Sequence, residues 1–139
     1  MIDAKMAPYG ALLLRVSMGL LFILHGVYLK AIVFGMTGAG QFFVTLGLPD
    51  WFAWVVMLYE TIGGLALIFG IYARWVALFL GVHLLFVAYV AHAGNGWVFS
   101  NKGGGYEFPL FWAIACFTLT LLGDGAHALK SDGRSKLVG

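Results

Sequence analysis

Several ionisable side chains lie within or beside long apolar runs of this 139-residue sequence, and they are Arg15, His25, Lys30, Glu60, His83, His92 and Glu107. An ionisable group in an apolar segment is costly to bury, so it either pairs with another group or serves a function. Imidazoles and carboxylates are the side chains that most often transfer protons. The candidate proton carriers are therefore Glu60, His25, His92 and Glu107. The candidate substrate-binding residues are the cations Arg15 and Lys30 with the aromatic Trp54 and Trp112.

Glu60 is the most informative of these residues because it lies well inside its apolar run. Gly63 and Gly64 follow at i+3 and i+4, on the same helical face, where small residues let a neighbouring helix approach closely. Two interpretations stay open. Glu60 is either a proton-accepting or ligand-binding carboxylate, or one half of a structural pair with a cation or histidine on another helix. The cations have structural alternatives too, because Lys30 could extend to the interface and Arg15 could anchor the inner end or reach Asp124.

His83 and His92 lie in one apolar run, separated by about two and a half turns of a regular α-helix. They would then point to opposite sides and could not both line one pocket. We predict that His92 faces the pocket and that His83 packs against a neighbour or a subunit contact. His25 with either of them could in principle ligate haem, but no pair matches in depth and direction, so haem is not expected. No histidine–carboxylate pair has the short helical spacing of a zinc site, so we predict no metal.

The composition is that of an integral membrane protein. Apolar residues make up 62% and charged residues 10% of the chain, whereas soluble domains carry about 25% charged residues. The net charge of +2 indicates no nucleic-acid surface. A single cysteine, Cys116, excludes a redox dithiol.

Four apolar runs, at about residues 10–34, 51–71, 74–93 and 106–123, are each long enough to cross a membrane as a helix. The predicted fold is all-α, a single domain over residues 1–139 that forms an integral membrane antiparallel four-helix bundle. The segment QFFVTLGLPD predicts a short interfacial helix that stops at Gly47 and Pro49. The polar tail after Gly125 is predicted to fray.

Lysine and arginine placement predicts the orientation. Six of these cations fall on the side of the termini and two on the other side, so both termini are predicted to be cytoplasmic. The glycine-rich loop between His92 and Pro109 then lies outside. It lacks the residues of a phosphate loop and is predicted to be a lid. Under it we expect a polar interior with His92 and Glu107 as its rim and Glu60 and His25 as its floor.

The chain resembles the DoxX family of small four-helix bacterial membrane proteins. The resemblance rests on Arg15, on His25-Gly26 with Lys30, on FFVTLGLP, and on Glu60 with its two glycines. It continues through Arg74, VAYVAH and GGGYEFPLF, so it covers nearly the whole chain. It implies an oxidoreductase component of the bacterial inner membrane. The polar positions of the family fall on Arg15, His25, Lys30, Glu60, His92 and Glu107, whereas His83 stands where an apolar residue is expected.

Three functions are consistent with these features. The first is a redox subunit that binds quinone, with Trp54, Phe86 and Trp112 as walls. It would have no redox centre of its own and would receive electrons from a partner enzyme. The second is a non-enzymatic scaffold or assembly subunit, and the third is a small transporter or proton path. Expected partners are membrane lipid and either a redox enzyme or further copies of the chain.

Overall fold

The computed structural model describes residues 3–131 and Gly133. This part of the chain is all-helical and holds no strand, which confirms the predicted class. Its α-helices are α1 (Ala7–Ile23), α2 (Gly35–Thr45), α3 (Phe52–Phe69), α4 (Ala73–Val87) and α5 (Glu107–Leu122).

Two of the long helices change their winding before they end. Helix α1 continues as a π-helix over Leu24–Val33. Helix α4 continues as a π-helix over Ala88–His92 and a 3₁₀ turn over Ala93–Asn95. A π-helix closes i→i+5 hydrogen bonds, so each residue turns the chain less than in an α-helix. Side chains in these segments therefore point in directions that a regular helical wheel does not predict.

Three helical stretches are long and apolar enough to span a membrane: Ala7–Val33, Phe52–Phe69 and Ala73–Asn95. Helix α5 is equally apolar but has only 16 residues, which gives it a length of about 24 Å against a hydrocarbon core of about 30 Å. The structure thus supports three candidate spans, and the four-span bundle stays a prediction.

The helices α1 and α3 pack through a glycine seam. A Cβ atom placed on Gly19 would lie 2.6 Å from the carbonyl oxygen of Gly64, and the reverse distance is also 2.6 Å. The two backbones therefore touch directly, as small-residue seams allow in membranes. Helix α4 packs mainly on α5, and both also contact the α1–α3 pair. The shared core includes Phe22, Leu67 and Leu80.

Helix α2 is the short helix predicted between the first two spans. It begins at Gly35, earlier than QFFVTLGLPD suggested, and the chain leaves it through Gly47 at a φ of +78°. Its buried residues Ala39 and Phe43 pack against the start of α3. Helix α2 is therefore fixed to the body of the protein along one face.

The prediction of a frayed tail is wrong for residues 126–130, and residues 132 and 134–139 of that tail lie outside the described part of the chain. The Ala126 amide donates to the Pro8 carbonyl at 2.9 Å, and the Leu129 and Lys130 amides donate to the carbonyls of Phe69 and Gly70, each at 3.1 Å. A helix leaves its last carbonyl groups without intrahelical partners. At the end of α3 the tail supplies those partners, so it is held in place.

Candidate functional site

Three ionisable side chains from three helices meet at one point, and we call them the polar cluster: the partly buried Lys30 and His83 and the buried Glu60. The Lys30 ammonium donates to Glu60 Oε2 at 2.5 Å, and His83 Nε2 donates to Glu60 Oε1 at 3.0 Å. The exposed fractions of these side chains are 14% for Lys30, 7% for Glu60 and 12% for His83. Each oxygen of the carboxylate therefore has a partner on a different helix, as a buried charge requires.

The π-helical end of α1 directs Lys30 inward. Its ammonium also donates to the backbone carbonyl of His25 at 2.8 Å. The sequence left open that the Lys30 side chain extends to the membrane interface. Its contacts with Glu60 and the His25 carbonyl exclude this, because the side chain reaches back along its helix into the protein. Of the two interpretations of Glu60, the paired one describes its contacts, and its partners are both a cation and a histidine.

The prediction for His83 is wrong. His83 belongs to the polar cluster and, together with His92, lines the same cavity. The prediction assumed a regular α-helix between the two residues. The winding instead changes at Ala88–His92, where the π-helix turns less per residue and alters the direction of the His92 side chain.

His25 and Trp112 form an aromatic wall beside the polar cluster. His25 Nδ1 lies 3.0 Å from the Leu21 carbonyl oxygen, within hydrogen-bond distance. The centroid of the His25 ring lies 4.9 Å from that of Trp112. Trp112 is 5% exposed. Its buried indole N–H has no hydrogen-bond partner among the described residues, so this wall retains an unused donor.

A cavity of about 660 Å³ opens beside these residues. All three members of the polar cluster line it, as do His25, His92 and Trp112. The remaining lining is mostly apolar and comes from α2, α3, α4, α5 and the outer loop; it includes Phe42, Phe52, Phe86, Val90, Phe99 and Phe108. A largely apolar cavity with a few convergent polar groups is the usual form of a small-molecule site.

The loop after α4 closes one end of this cavity. Asn95 Nδ2 donates to the carbonyls of Ala91, Gly103 and Gly104 at 2.9 to 3.2 Å. His92 Nδ1 contacts the Gly104 carbonyl oxygen at 2.9 Å. Gly104 and Gly105 line the cavity. The loop thus has the lid position predicted for it, and side-chain hydrogen bonds hold it there.

Three predicted site residues lie away from the cavity. Arg15 is buried at the opposite end of α1, where its Nη2 donates to the Ala126 carbonyl at 2.9 Å and Asp124 acts on its charge. Glu107 begins α5 but faces the loop, and its Oε1 accepts the Phe99 amide at 2.7 Å. Trp54 is 53% exposed on the outside of α3. Their predicted roles at a shared site therefore find no support in the geometry.

The structure brings together the other predicted residues, His25, Lys30, Glu60, His92 and Trp112, and adds His83. One signal in the sequence could have identified His83. A carboxylate as deep as Glu60 needs partners, and His83 lies at a similar depth on the next span. The family resemblance pointed the other way, because it places an apolar residue there.

Comparison with known proteins identifies three bacterial relatives. The chain is 40% identical over 81 residues to "Putative oxidoreductase CatD" of Bacillus subtilis, a match that covers 58% of each chain. It is 34% identical over 130 residues to "Inner membrane protein YqjF" of Escherichia coli, covering 90% of this chain and 92% of that one. An "Uncharacterized protein" of Haemophilus influenzae is 30% identical over 130 residues, covering 91% and 92%. No solved structure matches.

The family comparison agrees with the resemblance seen in the sequence. Residues 10–93 match the family model described as DoxX. This range holds most of α1, all of α2 to α4, and the whole polar cluster. The chain is therefore a membrane protein that belongs to the DoxX family.

Proposed function

We propose that this protein is a membrane subunit of an oxidoreductase and that it binds a quinone in the cavity beside the polar cluster. The protein lies in the bacterial inner membrane as four antiparallel helices with both termini in the cytoplasm. The name of the relative CatD supports the oxidoreductase part, and the name of YqjF supports the membrane. Lysine and arginine placement supports the orientation.

One observation carries the proposal, namely three ionisable groups, at most 14% exposed, at the wall of a largely apolar cavity. Its volume of about 660 Å³ lies within the range of about 300–1,000 Å³ that is usual for ligand sites. A quinone ring is apolar on its faces and needs hydrogen-bonding groups at its two oxygens. Phe86 and Trp112 supply aromatic walls, while the polar cluster and His25 supply polar contacts.

The chemistry of the proposed site is proton supply. Reduction of a quinone takes two electrons and two protons. The electrons come from a partner enzyme, and the protons pass through Glu60 and His83, which share a hydrogen bond of 3.0 Å. General acid–base groups contribute about 10²- to 10⁴-fold to a rate, so loss of Glu60 has a measurable consequence.

The test uses the protein with whatever enzyme co-purifies from its native membrane. Glu60→Gln keeps the shape of the side chain and removes its charge. We expect quinone-dependent turnover to fall by about 100-fold or more, while Glu107→Gln, which changes a carboxylate outside the cavity, leaves turnover unchanged. A protein that neither binds quinone nor alters the turnover of any associated enzyme would refute the proposal.

A second candidate function is a scaffold or assembly subunit, and the closed hydrogen bonding of Glu60 favours it. Both carboxylate oxygens already have partners, so the cluster joins α3 to the helices on either side without any ligand. In that case Glu60→Gln would lower the yield of the assembled complex and leave the activity per assembled complex intact. If Glu60→Gln assembles as well as the wild-type protein but loses quinone-dependent turnover, the quinone site is favoured over the scaffold.

A further inference from the structure

The three histidines that line the cavity each use one ring nitrogen to contact a protein oxygen. These contacts are His25 Nδ1 with Leu21 O at 3.0 Å, His83 Nε2 with Glu60 Oε1 at 3.0 Å, and His92 Nδ1 with Gly104 O at 2.9 Å. A backbone carbonyl or a carboxylate can only accept a hydrogen bond. The ring nitrogen in each contact is therefore the one that carries hydrogen.

This assignment fixes the role of the second nitrogen. In a neutral imidazole one nitrogen donates and the other accepts, and the partner of the first sets the tautomer. In the neutral form of each ring, His25 Nε2, His83 Nδ1 and His92 Nε2 are therefore acceptors. Within the described residues none of the three has a hydrogen-bond partner. All three histidines line the cavity, so three unused acceptors belong to residues of its wall.

Donors at the cavity are fewer. The Lys30 ammonium has three hydrogens, and two of them are directed to Glu60 and to the His25 carbonyl. The Trp112 indole N–H is the other unused donor among the described lining residues, and it is buried. The polar groups of the cavity are therefore matched by a ligand that donates hydrogen bonds as well as accepting them.

The oxidised and reduced forms of a quinone differ in this respect. The carbonyl oxygens of a quinone can only accept, whereas each hydroxyl of a hydroquinone also donates. We infer that the cavity binds a hydroquinone in preference to the corresponding quinone, with its hydroxyl groups donating to the unused histidine nitrogens. This inference rests on the proposed function, and it adds the redox state that the site recognises.

The entrance of the cavity indicates that the hydroquinone carries an apolar tail. Phe34, Phe42 and Phe86 line the cavity and yet are 61%, 52% and 46% exposed. They form an apolar rim between α2 and α4. The outer loop, by contrast, is held over the cavity by the hydrogen bonds of Asn95 and His92. A ligand with a lipid-soluble chain can leave that chain at the apolar rim.

The test compares three ligands with the same ring substituents and decyl tail: a hydroquinone, the corresponding quinone, and the dimethyl ether of the hydroquinone, which lacks donors and is larger by two methyl groups. Binding to the purified protein in lipid nanodiscs is measured by titration calorimetry under anaerobic conditions. We expect the hydroquinone to bind about tenfold more tightly than either of the others, since a net hydrogen bond is worth about threefold to tenfold in affinity. Equal affinities, or tighter binding of the quinone, would overturn the inference and leave the proposed function standing.

Variants identify the acceptors. His83→Phe and His92→Phe, made separately, should each reduce the ratio of quinone to hydroquinone dissociation constants by about threefold to tenfold. The control is His127→Asn, which alters a histidine outside the cavity at a φ of +53° that asparagine tolerates. A variant that merely misfolds loses both ligands, whereas loss of a donor–acceptor contact changes their ratio. An unchanged ratio in both phenylalanine variants would also overturn the inference, and failure of all three ligands to bind would refute the quinone site itself.

Discussion

The glycine seam between α1 and α3 gives a prediction whose size follows from one distance. In Gly64→Ala the new methyl group would lie 2.6 Å from the Gly19 carbonyl oxygen, which is 0.8 Å less than the 3.4 Å at which ordinary van der Waals contact begins. The obstacle is backbone, so the helices themselves must separate. Overpacking of this kind costs about 1–3 kcal/mol. The higher helix propensity of alanine offsets about 1 kcal/mol of that, so we expect a net loss of up to about 2 kcal/mol.

Two other glycines, Gly63 and Gly10, serve as controls for this change. In Gly63→Ala the nearest atoms are the Leu80 methyl carbons at 3.1 Å, which can rotate away, and in Gly10→Ala nothing lies within 4 Å. The free energy of unfolding is measured from helical circular dichroism against the mole fraction of SDS in mixed micelles. We expect Gly10→Ala to be the most stable of the three variants, Gly63→Ala to be intermediate and Gly64→Ala to be the least stable. If Gly64→Ala is as stable as Gly63→Ala, the backbone contact between α1 and α3 does not exist as described.

Three further predictions concern the polar cluster, the surroundings of Arg15 and the membrane orientation of the chain. Lys30→Met leaves Glu60 short of its cation and should destabilise the protein by about 3–5 kcal/mol; the double variant with Glu60→Gln should recover most of that loss in the same SDS titration. Gly70→Ala places a methyl group against the Arg15 guanidinium at a φ of +67° and should cost more unfolding free energy than Gly47→Ala, where φ is +78° but nothing lies within 4 Å; equal costs would argue against the buried position of Arg15. If both termini are cytoplasmic, as we propose, a green fluorescent protein fused to the C-terminus should fluoresce and a fused alkaline phosphatase should stay inactive; the opposite pair of results would invert the orientation.

The helical architecture could be predicted because it depends on the composition of long segments. Apolar runs without period-two alternation leave helices as the only economical structure in lipid. The role of Gly64 was also accessible, since a small residue at i+4 from a buried carboxylate marks a face that another helix approaches. Glu60 could be identified as the centre of the site on the cost of burying its charge alone.

The contacts of the site could not be predicted in the same way. The direction of Lys30 depends on a π-helix over Leu24–Val33, and no residue pattern distinguishes that winding from an α-helix of the same composition. The same is true of His83 and His92, whose shared cavity depends on a change of winding between them. Glu107 was assigned by its position at the start of an apolar run. Its orientation depends instead on the loop amide of Phe99, which the local sequence does not reveal.

The hydrogen bond between Arg15 and Ala126 has a consequence for how the chain is made. The two residues are 111 positions apart, and synthesis proceeds at about 5–20 residues per second. Arg15 is therefore synthesised roughly 6–22 s before the carbonyl that receives its guanidinium exists. Asp124, the acidic group that acts on the same charge, is made almost as late. During that interval the arginine has neither of these partners, so this end of the helix assembles last although it is synthesised first.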